Sequence, residues 1–227
     1  TNSQIGGRRN IIINGAFQVA QRGTSHTGVG NGDNSYYLDR FQFLESGTSS
    51  AEFTLSQASD GPDGFANSMK VDCTTSASLA SNERLFIQQR IEGQDLQQLK
   101  KGTSNAEKIT LSFHVRSNKT GTYIVEFYDS DNSRSISKSY TIDSANTFEK
   151  KTITIDGDTS GAFGNDTGGS LGIFFYLGAG SNFTSGTLNT SWNSRTLANV
   201  AVGQVNLADS TDNEWLITGV QLEVSEK

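Results

Sequence analysis

The sequence predicts an all-β fold in which two antiparallel sheets pack face to face as a sandwich, with one short helix. Three observations favour this fold class. Alternation of apolar and polar side chains with a period of two recurs along the chain. Glycine is abundant, with 24 residues, while only 33% of the chain is hydrophobic, which is typical of short strands joined by many turns. Helical spacing of apolar residues is confined to one short segment.

The alternation predicts a series of strands joined by polar turns. A length of 227 residues suits a single sandwich domain with a substantial core. We expect strands at 39–44, 53–57, 69–73, 84–91, 109–116, 122–128, 136–142, 148–155, 171–177 and 215–224.

The clearest strand is 109–116, in which every second residue is apolar and faces the expected core. A loop of about five residues containing Gly121 follows it, which predicts a β-hairpin with strand 122–128. In that register Val115 lies opposite Tyr123 on the core side. The other face of the hairpin then gathers polar and aromatic side chains, namely Ser112, His114, Arg116, Glu126 and Tyr128.

One segment, 94–101, has helical character, because Leu96 and Leu99 stand three residues apart and Gly93 and Gly102 flank the segment. We expect a short crossover helix that covers one end of the sandwich.

Both ends of the chain have strand-like patterns, at 10–17 and 217–223. We expect them to lie in one sheet and to close a single domain that spans residues 10–227. Residues 1–9 precede the first strand-like pattern and are expected to form an N-terminal linker or arm.

Charge and hydropathy exclude several function classes. The net charge is -6 and the basic residues are scattered, so no basic patch for a nucleic acid is expected. No apolar stretch approaches the roughly 20 residues that span a bilayer, and no signal-peptide pattern is present at the start of the sequence. We expect a soluble protein that is made in the cytoplasm. The single cysteine, Cys73, alternates with polar neighbours and is expected to be a buried thiol.

Short motifs at both ends and in the middle of the chain carry a family resemblance, at 8–17, 21–23, 39–41, 88–93, 96–102, 110–115, 120–123 and 217–223. Together they resemble the jelly-roll domains of bacteriophage tail fibres and related virion appendages. The resemblance implies a jelly roll similar to carbohydrate-binding modules, located on the virion and often trimeric.

Catalytic chemistry is not expected. With only His26, His114 and one cysteine, a zinc site of His and Cys ligands is hard to assemble, and no nucleophile elbow is present. A pair of carboxylates for glycoside hydrolysis, Glu126 with Asp129 or Glu92, stays open, although surface carboxylates are common in an acidic protein. We therefore expect a protein that is not an enzyme and that has no cofactor.

A structural calcium ion is one alternative to the absence of any cofactor. Oxygen ligands of the kind that calcium prefers are plentiful at 31–34 and 129–132. Turns stabilised by Asn and Asp side chains explain both stretches equally well without an ion.

Sugar binding is the most plausible molecular activity, because aromatic rings stack on the apolar faces of sugars while amides and charged groups bond the hydroxyls. Two places are candidates. The hairpin face offers His114, Arg116, Glu126 and Tyr128, with packing against a subunit or a solvated surface as the alternative. The loop 189–195 offers Trp192, Asn193 and Arg195, with a core or interface plug as the alternative for Trp192.

Two functions follow from these patterns and from the resemblance. The first is a receptor-binding domain of a phage tail fibre or spike that recognises host surface polysaccharide. The second is a capsid decoration or adaptor protein with a purely structural role in assembly. In both cases we expect other virion proteins as partners, and we expect the chain to form a homotrimer. The receptor-binding function adds a host surface glycan as a partner.

Overall fold

The computed structural model describes residues 10–225, so the expected arm at 1–9 and the final residues 226–227 lie outside the described part. The predicted all-β, two-sheet antiparallel jelly-roll sandwich is confirmed. Its strands are β1 (Ser25–Gly30), β2 (Asn34–Leu38), β3 (Phe41–Ser46), β4 (Glu52–Ala58), β5 (Ser68–Thr75), β6 (Arg84–Glu92), β7 (Ile109–Ser117), β8 (Gly121–Asp129), β9 (Arg134–Ile142), β10 (Glu149–Ile155), β11 (Gly169–Ala179), β12 (Asn193–Ser194) and β13 (Glu214–Val224).

The two sheets contain six and seven strands. The six-stranded sheet has the order β1, β4, β5, β13, β7, β10, and the seven-stranded sheet has the order β12, β9, β8, β11, β6, β3, β2. All ten strands expected from the alternation are present, with each end within two residues of the expected bound. β1, β2 and β12 were not expected, since β1 contains two glycines and β12 has only two residues.

The core lies between the sheets and is rich in aromatic rings. Phe113 on β7 meets Tyr140 on β9 and Phe175 on β11 edge-on, with ring centroids 5.0 and 5.3 Å apart. Because Phe113 belongs to the six-stranded sheet and its partners to the other, these contacts join the two layers. Cys73 is buried in the same core, as predicted.

The expected hairpin between 109–116 and 122–128 is wrong. β7 pairs with β13 and β10, whereas β8 pairs with β9 and β11, so the chain crosses between sheets at 118–120. Val115 therefore lies opposite Ile217 and Glu149, and not opposite Tyr123. The alternation predicts that both strands face the core, but it does not distinguish a hairpin within one sheet from a crossover between two sheets.

The two ends of the described chain lie side by side, although the first of them is not a strand. β5 pairs with only Glu214–Ile217 of β13, and residues 10–15 run along the same edge beyond that point. The Ile11 amide donates to the Leu222 carbonyl at 2.8 Å, and the Val220 amide donates to the Gly15 carbonyl at 2.9 Å. A turn that closes at Phe17 then leads the chain away before a ladder can form.

The predicted helix at 94–101 is present as a 3₁₀ helix, Gly93–Leu99, and its Leu96 and Leu99 are buried. A spacing of three matches the three residues per turn of this helix type. The other helical pieces are shorter: an α-helix at Ser181–Thr184 and 3₁₀ turns at Leu197–Asn199 and Leu207–Asp209. Between residues 10 and 225 no helix has both the length and the apolar character needed to cross a membrane.

The close approach of Gly15 to β13 generates a first prediction. A Cβ at Gly15 would lie 2.0 Å from the Val220 carbonyl oxygen, so Gly15→Ala must displace either the N-terminal segment or β13. We expect the free energy of unfolding to fall by roughly 1–3 kcal/mol, as in other overpacked sites. Gly169→Ala is the matched control, because its Cβ would make only ordinary contacts at 3.5 Å. Denaturant titration compares the two, and equal stabilities would contradict this account of the chain ends.

Candidate functional site

The outward surface of the seven-stranded sheet carries a continuous row of side chains that crosses the sheet from strand to strand. Along β6, β8 and β11, one set of alternate residues enters the main core, and the other set faces away from it. Adjacent strands place the outward residues opposite one another. The row consists of Tyr36, Gln42, Gln88, Phe174, Glu126 and Ser137, and we call this row with its immediate neighbours the candidate face.

A second row runs beside the first and contains Arg90, Gly172, Tyr128 and Ser135, paired in that order across four strands. Gly172 is needed for the shape of this surface. A Cβ there would lie 2.4 Å from the Phe174 ring, so that ring lies over the glycine. The Tyr128 ring is 6.0 Å from Phe174, and Tyr128 keeps part of its surface exposed.

Side-chain amides form a hydrogen-bonded chain along the candidate face. The Gln42 amide nitrogen donates to Asn34 Oδ1 at 2.5 Å, and the Gln88 amide nitrogen donates to Gln42 Oε1. Arg90 Nε donates to Gln88 Oε1 at 3.4 Å. Both amides are buried, so this chain of hydrogen bonds fixes the side chains of the face from within. Alternation within strand 84–91 places Gln88 and Arg90 on its outward face, although neither is among the predicted site residues.

Three of the predicted sugar-binding residues come together on this face. Glu126 is fully buried, and Arg195 binds its carboxylate with two hydrogen bonds of 2.6 and 2.9 Å. The Arg195 guanidinium also lies 4.4 Å from the centroid of the Tyr128 ring. The Tyr176 hydroxyl donates to Glu126 at 2.8 Å. The two candidate places of the sequence analysis therefore share one cluster, which contains Glu126, Tyr128 and Arg195.

Burial and the shared carboxylate set the protonation states in this cluster. Burial raises the pKa of Tyr176, and the Glu126 carboxylate raises it further. Burial alone would lower the pKa of Arg195, but its hydrogen bond to Glu126 holds that pKa above the ordinary value. The phenol thus stays neutral and the guanidinium stays charged throughout the physiological pH range.

The other two residues of the predicted loop have different surroundings. Trp192 packs against the main core, and its indole nitrogen donates to the Asp156 carbonyl at 3.0 Å. This arrangement matches the alternative interpretation of Trp192 as a plug. Asn193 is exposed, but its amide is bonded within its own loop, to Asn189 and to Ser191.

His114 and Arg116 lie on the other sheet, so the predicted face that combined them with Glu126 and Tyr128 is wrong. The prediction fails because the chain crosses between the sheets after β7, which places β7 and β8 in opposite layers. Arg116 bonds two carboxylates, Asp60 at 2.6 Å and Glu214 at 2.8 Å. The His114 ring lies 5.2 Å from the Phe65 ring, and burial followed by the Lys150 charge lowers the pKa of His114.

The segment 181–205 covers part of the candidate face and leaves the rest open. Phe183, Val200 and Ala201 pack on Phe86 and on other outward residues of the sheet. At the opposite edge Tyr36 is 44% exposed, and Arg90 is exposed as well. The accessible side chains of the face are therefore Tyr36, Arg90 and, in part, Tyr128, whereas Gln42, Gln88 and Phe174 are buried.

A buried charge network fixes the loops at one end of the sandwich. The Lys101 ammonium lies 2.6 Å from Asp129 and 3.1 Å from Asp158, and all three side chains are almost fully buried. Arg134 binds Asp158 with two hydrogen bonds and donates a third to the Trp192 carbonyl at 3.2 Å. The network thus links the chain after Tyr128 to the loop that leads to Arg195.

Both stretches considered for calcium use their carboxylates in turns. Asp33 accepts hydrogen bonds from the Gly30 amide and from the Tyr37 hydroxyl. Asp129 accepts from the amides of Asp131 and Asn132, and the Lys101 ammonium already supplies a positive charge beside it. In the described part of the chain no group of three or more His, Cys, Asp and Glu residues is arranged to hold a metal ion.

The carboxylates considered for glycoside hydrolysis are also engaged. Glu126 is bound by Arg195 and Tyr176, Asp129 is bound by Lys101, and both are fully buried. Neither carboxylate faces open space in which a sugar and a water molecule could lie between them.

No protein-family model matches the chain, and no curated protein matches its sequence. Among solved structures, the enzymatically active domain of tailspike protein 4 from bacteriophage CBA120 is similar over 96% of this chain, with 14% identity and a TM-score of 0.51. The matched region is 22% of that tailspike chain, so the chain spans about a fifth of its relative. This likeness shows a shared fold.

Carbohydrate-binding modules give weaker matches over the whole domain. A family 11 module from Clostridium thermocellum, in complex with a β-1,3-1,4-mixed-linked tetrasaccharide, has 10% identity and a TM-score of 0.44, covering 90% of this chain and 98% of its own. A family 61 module in complex with β-1,4-galactotriose has 10% identity and a TM-score of 0.44, covering 96% of this chain and 99% of its own.

The charge network generates a second prediction, on pH. Burial alone would raise the pKa of Asp158, yet hydrogen bonds from Arg134 and other donors leave it below the ordinary value. A carboxylate whose pKa falls on folding stabilises the fold above its unfolded pKa of about 3.9, and this contribution is lost as the pH drops through the folded value. Asp158→Asn should lower the free energy of unfolding at pH 7 by about 1.5–3 kcal/mol. As the pH falls below 4, the free energy of unfolding of this variant should decrease less than that of the wild type.

Asp156→Asn is the matched control. Asp156 lies two residues before Asp158 in the chain and forms an ion pair with Lys108 on the exposed surface. It should leave stability at pH 7 nearly unchanged. Urea titrations from pH 3 to pH 7 measure both variants. An Asp158→Asn protein with the stability and pH profile of the wild type would show that the network does not hold the loops.

Proposed function

We propose that this chain is a glycan-binding domain of a bacteriophage tail fibre or spike, and that it attaches the virion to a host surface polysaccharide. The motifs at both chain ends support the placement on a phage appendage, as does the fold shared with a phage tailspike domain. The geometry of the candidate face supports the glycan as the ligand.

A single observation carries the proposal: a partly exposed aromatic ring, backed by a cation, shares the face of a rigid sheet with an exposed arginine. Tyr128 presents its ring beside Arg195, and Arg90 is exposed two strands away on the same face. The buried amides of Gln42 and Gln88 support Arg90 from within the face. Saccharides are bound by this combination, because their C–H faces stack on rings and their hydroxyls pair with charged groups.

Binding requires no chemical step from these residues. Glu126 orients Arg195, and Arg195 and Phe174 position the Tyr128 ring. The buried amide of Gln88 anchors the exposed Arg90 through its Nε. Since strands hold nearly all of these groups, little conformational entropy is lost by the protein on binding.

A test of this function compares two substitutions of Tyr128 with one substitution on the opposite sheet. Tyr128→Ala should weaken binding to the receptor polysaccharide at least about tenfold, because truncation of a binding aromatic commonly costs about 1–2 kcal/mol. Tyr128→Phe keeps the ring and should retain most of the affinity. His114→Ala, on the opposite sheet, should leave binding unchanged. Glycan arrays and adsorption of the isolated domain to whole cells provide the measurements.

The alternative function, a capsid decoration or adaptor, predicts the reverse pattern. The domain would then bind virion particles with high specificity, and cell adsorption would not depend on Tyr128. That result would remove the receptor-binding proposal.

We further propose that the domain acts as a homotrimer. One shallow saccharide site binds weakly, and three linked sites raise the effective affinity by about 10²–10⁴. Light scattering of the purified chain should therefore give the mass of three copies. A stable monomer that also binds cells with full avidity would exclude this assembly.

A further inference from the structure

Arginines between residues 10 and 225 differ in their partners, and Arg22 and Arg40, both in turns, form no ion pair with a described carboxylate. Arg116, Arg134 and Arg195 each form an ion pair with at least one carboxylate. Arg84 and Arg90, both outward residues of β6, pair with no carboxylate between residues 10 and 225. Unpaired cations on one sheet are notable in a chain whose net charge is -6.

Arg84 is held in place by aromatic rings. Its guanidinium carbon lies 5.3 Å from the centroid of the Phe86 ring and 4.8 Å from that of the Phe183 ring. Its Nε and Nη1 atoms are buried and have no hydrogen-bond partner among the described residues, which leaves Nη2 as its open nitrogen. A cation that has lost most of its hydration without gaining an anion is costly, and an anion at the open edge would offset that cost.

Arg90 lies at the other end of the same strand and is exposed. Its Nε is anchored to Gln88, while its two terminal nitrogens make no hydrogen bond to the described residues. A planar guanidinium whose outer edge is free is suited to two parallel hydrogen bonds with a carboxylate or a phosphate. Gln88 and Gln42 connect this position to the middle of the candidate face.

The two arginines are too far apart for one small anion. Six residues of extended strand separate them by roughly 20 Å. Between them lie Phe86 and Gln88, one apolar and one amide side chain. Both of these side chains are buried, so a ligand that reaches both arginines must pass over the residues that cover them. The spacing fits an extended polymer in which anionic groups recur along the chain.

We propose that the glycan bound by the candidate face is anionic, with carboxylate or phosphate groups on its repeating units that pair with Arg84 and Arg90. This inference rests on the proposed function and specifies its ligand class. The charge pairing adds a long-range, salt-dependent attraction that a neutral polysaccharide cannot provide.

The test uses the purified full chain and immobilised polysaccharides of three kinds: neutral, uronate-containing and phosphate-containing. The uronate polymers are also presented after chemical reduction of their carboxyl groups. We expect binding to anionic polymers that weakens steeply as salt rises from 50 to 500 mM, and binding that is lost after reduction or dephosphorylation. The two anionic sets distinguish carboxylate from phosphate as the group that is recognised.

Substitutions localise the effect. Arg90→Gln, at an exposed position, should weaken binding to the anionic polymer about tenfold and reduce its salt dependence. Arg90→Lys should recover only part of this loss, because the ammonium lacks the planar fork. Arg84→Gln should act in the same direction, and a thermal melt separates its effect on binding from its effect on folding. Lys150→Gln removes an equal charge from the opposite sheet and should bind as the wild type does.

The outcomes separate the two proposals. Preferential binding to neutral polymers, or unchanged binding after carboxyl reduction and dephosphorylation, would overturn the anionic ligand and leave the glycan-binding function intact. Equal loss from Arg90→Gln and Lys150→Gln would indicate a general charge effect and would also overturn it. Absence of binding to every polymer would overturn the glycan-binding function itself.

Discussion

The arrangement of the candidate face depends on one ion pair, between Glu126 and Arg195. A carboxylate in the middle of β8 that is fully buried on the outer side of a sheet must be compensated, or it would destabilise the strand that carries it. Arg195 supplies that compensation from a segment with very little regular structure. The ion pair therefore serves two purposes, since it makes the buried carboxylate tolerable and fixes the covering segment on the sheet.

The covering segment 181–205 contains only an α-helix of four residues, a 3₁₀ turn and a strand of two residues. Its position is determined by individual bonds to the sheet. Besides the ion pair, the Ser137 hydroxyl donates to the Val200 carbonyl at 2.8 Å, and the Gln204 amide oxygen accepts from the Ile124 amide at 2.7 Å. The apolar side chains Phe183, Val200 and Ala201 of the segment add their packing on the sheet to these bonds.

β8 is anchored at two points on either side of Tyr128. Glu126 joins it to the covering segment, and Asp129 joins it to the loops at the end of the sandwich through Lys101. The aromatic ring between these points is therefore held by two charge clusters that lie on opposite faces of the strand. A ring that is fixed in this way retains its orientation without a ligand, which is the condition for binding with a small entropic cost.

The fold was largely predictable from the sequence, whereas the site was predictable only in pieces. Period-two alternation located the strands because each of them contributes one face to a single core. Alternation carries no information about which sheet a strand joins, so the β7 to β8 crossover was missed and His114 was wrongly grouped with Tyr128. Glu126 and Arg195 are 69 residues apart, and no local pattern links residues at that distance. The outward residues Gln88 and Arg90 follow from the same alternation that located β6, once both of its faces are considered.

The outer face of the seven-stranded sheet also explains why the sheet tolerates so many polar groups near its surface. Its second apolar cluster, formed by Phe86, Phe174 and their neighbours, lowers the local dielectric around the amides and cations that border it. Hydrogen bonds and charge pairs made there by a ligand are stronger than the same interactions in water. Arg84 is poorly solvated in such surroundings, so pairing with an incoming anion would offset part of the cost of its burial. If the proposed anionic glycan binds here, the desolvation that the fold imposes on Arg84 contributes to its affinity beyond the area that it covers.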